Sequence, residues 1–145
     1  MFRKSILAAL FFLVIFSAPL FTDPTQVYAT VSQEKTIVYY FHGNMRCRTC
    51  NKIEMYTKES INAGFAKELS EGLLEIRMVN TDKSENEHFI SDFQLTNRSV
   101  VLVQNRGEKL EKWKNLDRIW LLVRKKEAFQ TYIDAETRAF MAVEK

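Results

Sequence analysis

Thr36 to Cys50 reads TIVYYFHGNMRCRTC. Thr36 to Phe41 is a β-branched and aromatic run of strand length, and His42, Gly43 and Asn44 interrupt it before the first cysteine. Cys47-Arg48-Thr49-Cys50 then opens a stretch with no β-rich run until Leu73. Its apolar residues Ile53, Tyr56, Ile61, Phe65, Ala66 and Leu69 fall near helical spacing. A C-x-x-C pair directly after a strand and at the first turn of a helix is a far more informative arrangement than the same pair in an arbitrary loop.

Working outward, the helical region should bend near Thr57 or Gly64 and stop at Gly72. Leu74 to Val79 alternates apolar and charged residues as a second strand. Ser84 to Phe93 follows as a short helix whose Phe89, Ile90 and Phe93 share a face. Val100 to Val103 is too continuously apolar for a surface strand and reads as a buried one. Asn105 to Glu108 turns the chain into a last edge strand, Lys109 to Trp113. Asn115 is expected to cap a C-terminal helical region with an apolar stripe of Ile119, Trp120, Val123, Phe129, Ile133, Phe140 and Met141, a stripe that belongs in a core rather than around a cofactor. The order β, α, β, α, β, β, α predicts an α/β fold. Parallel strands joined by right-handed crossovers, then an antiparallel hairpin and a closing helix, give a mixed sheet of about four strands with helices on both faces.

The chain has 145 residues, 46% hydrophobic and 27% charged, with 11 Phe, 5 Tyr and 2 Trp against only 4 Gly and 2 Pro. That composition supplies one compact core and excludes a disordered or collagen-like chain. Two cysteines exclude a disulfide-stapled miniprotein and a four-thiolate zinc ribbon within one chain. The net charge of +3 is dispersed, so nucleic acid is not an expected partner.

Arg3 and Lys4 precede an apolar run from Ile6 to Phe16, followed by Ser17, Pro19 and a polar stretch. This is the order of a secretory signal, with Val27 and Ala29 as the small residues before a cut. The run is short against the roughly 20 residues needed to span a bilayer, although an uncleaved anchor is the rival reading. The expected organisation is a signal peptide over 1–29, an exposed N-terminal segment over 30–35 and a single domain over 36–145. The protein would be exported, periplasmic or secreted after cleavage near Ala29 and membrane-anchored if uncleaved, where disulfides are permitted.

A helix N-terminus offers unpaired amides and positive potential, which stabilises a thiolate at Cys47 more than at the more enclosed Cys50. Arg46 and Arg48 flank that sulfur and should lower its pKa further. Spacing assigns Cys47 as nucleophile and Cys50 as resolver of a mixed disulfide, so the pair itself is the redox group and no other cofactor is required. An inert loop-closing disulfide is a weaker reading, because so short a loop gains little from closure entropy. The runner-up function is a binding module in which both thiolates hold a soft metal or a metalloid such as As(III). His42 could act as a base, an extra ligand or simply a polar residue at the strand end.

The strand Thr36 to Phe41, the cysteine motif, Val79-Asn80-Thr81-Asp82 and Phe93-Gln94-Leu95 leading to Val100 to Glu108 follow the order of the thioredoxin-like superfamily, which the chain resembles over essentially all of residues 36–143. Tyr40 to Asn44, Lys52-Ile53-Glu54 and Ser99 to Val103 resemble the exported ArsF-type subunit of nitrophenyl-compound nitroreductases. The resemblance implies a thiol-disulfide oxidoreductase or electron-relay subunit acting on a protein disulfide or dithiol, with a membrane redox protein among the candidate partners and arsenic or nitroaromatic handling as the setting. The departures are specific. Arg46 stands where the superfamily has an aromatic, Arg48-Thr49 lies inside the motif, and no carboxylate stands near Phe41. Pro19 and Pro24 both precede the domain, so no cis-proline can stand near Ser99. The loop Asn97, Arg98, Ser99 should then face Cys47 across a small groove, with the serine hydroxyl open to a ligand.

Overall fold

The computed structural model describes residues 34–142. Along them run β1 (Glu34–His42), α1 (Arg48–Gly64), α2 (Ala66–Ser70), β2 (Leu74–Asn80), a 3-10 turn (Ser84–Asn86), α3 (His88–Asp92), β3 (Ser99–Arg106), β4 (Lys109–Asn115), α4 (Ile119–Leu122) and α5 (Lys126–Ala142). The expected leader, 1–29, lies outside the described residues. Among those residues no helix is long and apolar enough to cross a membrane.

The strands form one sheet in the order β2-β1-β3-β4. β1 and β2 are parallel, with Thr36 opposite Leu74 and Phe41 opposite Val79. β3 is antiparallel to β1, with Val38 opposite Leu102, and β4 is antiparallel to β3. This mixed sheet, built as a β-α-β unit followed by a hairpin and a closing helix, is the thioredoxin-like arrangement the resemblance implied. One expectation needs correcting: β1 and β2 are the one parallel pair, because α3 carries the chain past β1 to a strand of opposite direction. A continuously apolar run marks burial on both faces but carries no information about direction.

Successive residues of the two central strands point to opposite faces, so each strand serves two cores. Val38, Tyr40, Val100 and Leu102 meet Ile53 and Ile61 of α1, Ile119 of α4 and Phe129, Ile133 and Phe140 of α5. On the other face Ile37, Tyr39, Phe41, Val101 and Val103 meet Phe93, with Phe89 and Trp113 packed beside it. Helices therefore cover both faces, and the C-terminal apolar stripe is core.

Three local expectations are corrected and one is narrowed. Glu34 and Lys35, assigned to an exposed segment, belong to β1 and are half-buried: Glu34 pairs with Gln104 and Arg106, and Lys35 with Glu75 at 2.5 Å. Of the two positions expected for the helix break, Gly64 is the one the structure uses: α1 ends there, where Asp134 and Arg138 of α5 approach, and Thr57 stays fully buried inside α1. The segment from Ser84 splits into a 3-10 turn and α3, since the Asn86 side chain donates to the Asn80 carbonyl at 2.9 Å and diverts the chain; Ile90 is left 42% exposed. Asn115 ends β4 rather than capping a helix. The sheet ladder continues through Leu116, whose N–H reaches the Val100 carbonyl at 2.8 Å, and α4 and α5 are separate helices.

Candidate functional site

β1 delivers the chain to the end of the sheet, and Gly43 to Arg46 turn it into α1. The turn is fastened to the end of β2. Thr81 donates its backbone N–H (2.8 Å) and its hydroxyl (3.1 Å) to the His42 carbonyl. Asn44 N–H donates to Asp82 Oδ2 at 2.7 Å, and Asn80 Nδ2 to Asn44 Oδ1 at 2.8 Å. Gly43 lets the Asp82 carboxylate approach closely, since a Cβ would stand 2.8 Å from Asp82 Oδ2 and the carboxylate would have to shift. The Asn80 to Asp82 stretch thus sets where the cysteines begin.

Cys47 is the N-cap of α1, in extended conformation, and its sulfur accepts the Cys50 N–H at 3.0 Å. Cys47 and Cys50 are disulfide-bonded with Cα atoms 5.0 Å apart, inside the range such a bond permits. Their exposure is unequal: Cys47 faces solvent and Cys50 is 3% exposed. Only one sulfur is open to attack from outside. Once reduced, the pair supplies two soft ligands; among the described residues no group of three His, Cys, Asp or Glu side chains comes together.

Tyr40 lies beneath the motif, fully buried, and its hydroxyl donates to the Cys50 carbonyl at 3.0 Å. Burial pushes its pKa up, with Arg46 and Arg98 opposing, so the phenol remains a donor. Sequence reading passed over Tyr40 as a site residue. The available signal was a hydroxyl on a strand position that shares the α1-facing side with Val38, where a buried phenol needs a partner.

Met45, Arg46, Cys47, Cys50, Arg98 and Trp120 line an open groove of about 240 Å³. Trp120 Nε1 donates to the Arg98 carbonyl at 2.9 Å and to Asn97 Oδ1 at 3.2 Å, and Arg98 Nη2 donates to the Met45 carbonyl at 3.2 Å. Trp120, which periodicity places in the core stripe, also holds Asn97 and Arg98 at the disulfide groove. Arg46 pairs with Glu54, which also takes Lys58 at 2.8 Å, and lies 6.0 Å from the Tyr40 ring centre. Arg48 is exposed and makes no ion pair among the described residues.

Two expected residues stand elsewhere. Ser99 is not among the residues lining the cysteine groove: it is 3% exposed, donates to the Asn97 carbonyl at 3.0 Å and lines a separate cavity with Asn115, Asp117 and Trp120. Neighbouring residues entering a strand alternate in direction, so Arg98 takes the groove and Ser99 turns away. No cis peptide occurs among the described residues. His42 Nδ1 lies 3.0 Å from the Gly43 carbonyl, and its ring lines a neighbouring cavity with Thr81, Asp82 and Ile90 rather than the cysteine groove.

No family model and no curated protein matches this chain, so the resemblance to a nitroreductase subunit has no counterpart there. Among solved structures, the chain is similar to one described as "Structure of a malarial protein", with 14% identity and a TM-score of 0.37, over 63% of this chain and 96% of that one. It is also similar to a thioredoxin from Thermus thermophilus, solved in solution, with 13% identity and a TM-score of 0.35, over 63% of this chain and 72% of that one. At these scores neither likeness carries an argument, and the fold rests on strand order and direction. The Cys47–Cys50 disulfide, with Cys47 exposed and Cys50 buried, is a pair that redox exchange can open.

Proposed function

We propose that this chain is a thiol-disulfide oxidoreductase or electron-relay subunit whose Cys47 and Cys50 cycle between disulfide and dithiol. One observation carries the reading: the exposed Cys47 sulfur caps α1 while the sulfur bonded to it is buried. In the dithiol state a Cys47 thiolate gains from the Cys50 N–H, the helix terminus and nearby guanidinium groups. It attacks one sulfur of a partner disulfide; an S–S bond to Cys47 forms and the partner's other sulfur leaves as a thiolate. Cys50 gives up its proton and attacks the Cys47 sulfur. The intramolecular disulfide forms and the second partner sulfur leaves; two electrons have passed to the partner, whose two sulfurs take up the Cys50 proton and one proton from solvent. Run backwards, the same steps oxidise a partner dithiol.

The basic and apolar order of residues 3–16 supports placing this activity outside the inner membrane, where the disulfide persists. Redox titration of the purified chain, followed by thiol labelling and by metal analysis of the same sample, tests the proposal. A two-electron midpoint between about −120 and −270 mV is expected. A midpoint below about −300 mV would make the bond a structural staple, and stoichiometric As(III) or Zn(II) binding without turnover would replace exchange by thiolate ligation.

A further inference from the structure

The groove beside the disulfide presents charge as well as sulfur. Arg46 and Arg98 line it, and no carboxylate does. Arg48 stands next to Cys47, and Lys52 lies one turn along α1; both are exposed and neither makes an ion pair among the described residues. Glu54, the carboxylate nearest in this part of α1 by its contacts, is already shared by Arg46 and Lys58. Arg98 spends Nη2 on the Met45 carbonyl, while its Nε is buried without a hydrogen-bond partner. Arg46 is thus compensated by Glu54, whereas Arg48, Lys52 and Arg98 make no ion pair among the described residues and leave positive charge beside the cysteine motif.

The other lining residues describe the kind of occupant. Met45, 78% exposed, and the half-buried Trp120 both line the groove that holds the disulfide. Through Arg46 the groove adjoins a second one along α1 that contains Met55, itself 45% exposed. Arg, Met and Trp are the residue types enriched where proteins meet proteins. A shallow groove of about 240 Å³ is also below the size of ordinary small-molecule pockets.

We propose that this surface docks a protein segment whose redox cysteines are flanked by acidic side chains. The proposal rests on the exchange reading above and names its partner class. Attraction between the partner's carboxylates and Arg48, Arg98 and Lys52 speeds encounter and orients the partner disulfide toward Cys47; being electrostatic, it weakens with salt. The transfer is the thiol-disulfide exchange proposed above: two electrons pass from Cys47 and Cys50 to the partner disulfide, whose sulfurs take up the Cys50 proton and one from solvent.

The test uses the reduced full chain and three disulfide-bonded peptides, identical except for acidic, neutral or basic flanks, with oxidised glutathione as a small anionic comparator. The acidic peptide should be reduced at least about tenfold faster than the basic one at low ionic strength, with the gap closing as salt rises. Arg48→Gln and Arg98→Gln should each shrink that ratio several-fold, and Arg48→Lys should restore it, in protein shown folded by thermal melting. Equal rates on all three peptides would overturn the docking inference while leaving exchange intact. A rate with glutathione matching the acidic peptide would transfer the site to small anionic disulfides and overturn the protein partner. Failure to reduce any of the four would remove the exchange reading itself.

Discussion

The Tyr40 hydroxyl reaches up from the central strand to the Cys50 carbonyl at 3.0 Å, so Cys50 is tied by its backbone to the core as well as to the Cys47 sulfur that caps its own helix. The bond lies between a fully buried phenol and a residue 3% exposed, where water cannot replace it. A strand residue thereby sets the depth at which α1 begins.

Tyr40→Phe keeps the ring and removes that bond. The loss should be about 1 kcal/mol of stability, seen as a fall of roughly 4 °C in Tm for a domain of this size. An unchanged melting curve in the disulfide form would show that the bond contributes nothing.

In the reduced protein, iodoacetamide at a pH near 6 should modify Cys47 well before Cys50, because Cys47 faces solvent at the helix terminus and Cys50 is enclosed. Arg48→Ala should slow Cys47 labelling more than Arg46→Ala does, since Arg46 shares its charge with Glu54. Peptide mapping over time measures both, and faster labelling at Cys50 would reverse the two roles.

Gly43→Ala should cost about 1 to 3 kcal/mol through overpacking, because the new Cβ meets the Asp82 carboxylate that holds Asn44 N–H. Asp82→Ala alone loses that hydrogen bond, and the double variant should be less damaged than the sum of the two, because the clash disappears with the carboxylate. Strict additivity in a denaturant double-mutant cycle would mean the glycine is not required by Asp82.

Stability should fall at both extremes of pH for identifiable reasons. Hydrogen bonds from Arg77 and Lys35 hold Glu75 down at about 2. Its contribution is complete above the unfolded carboxyl value of 4.5 and is lost as pH falls toward about 2. Burial pushes Tyr132 up to about 12, so its contribution is complete below the unfolded value of 10.0 and is lost as pH rises toward 12. Tm measured across pH in Glu75→Gln and Tyr132→Phe should show a shallower acid limb in the first and a shallower alkaline limb in the second; parallel curves would assign both limbs to other groups.

Much of the fold was legible in local pattern. The buried strands around Val38 and Val101, the start of α1 at the cysteine motif, the stop at Gly72 with its φ of +73° and the core stripe from Ile119 to Phe140 all follow from residue type and spacing. These are properties a short segment expresses alone, because β-branching, helical periodicity and glycine's freedom at positive φ act within a few residues. The exposure difference between Cys47 and Cys50 belongs with them, since it follows from their places at a helix start.

The tertiary structure decided the rest. The direction of β3, the break at Gly64 rather than Thr57 and the continuation of strand pairing through Leu116 each depend on a partner elsewhere in the chain. So do the Tyr40 bond to Cys50 and the Trp120 hold on Arg98. A hydrogen-bonding group or an apolar face states in sequence only that it needs a partner. Which partner it finds is settled when the buried polar groups of all the packed elements are satisfied together.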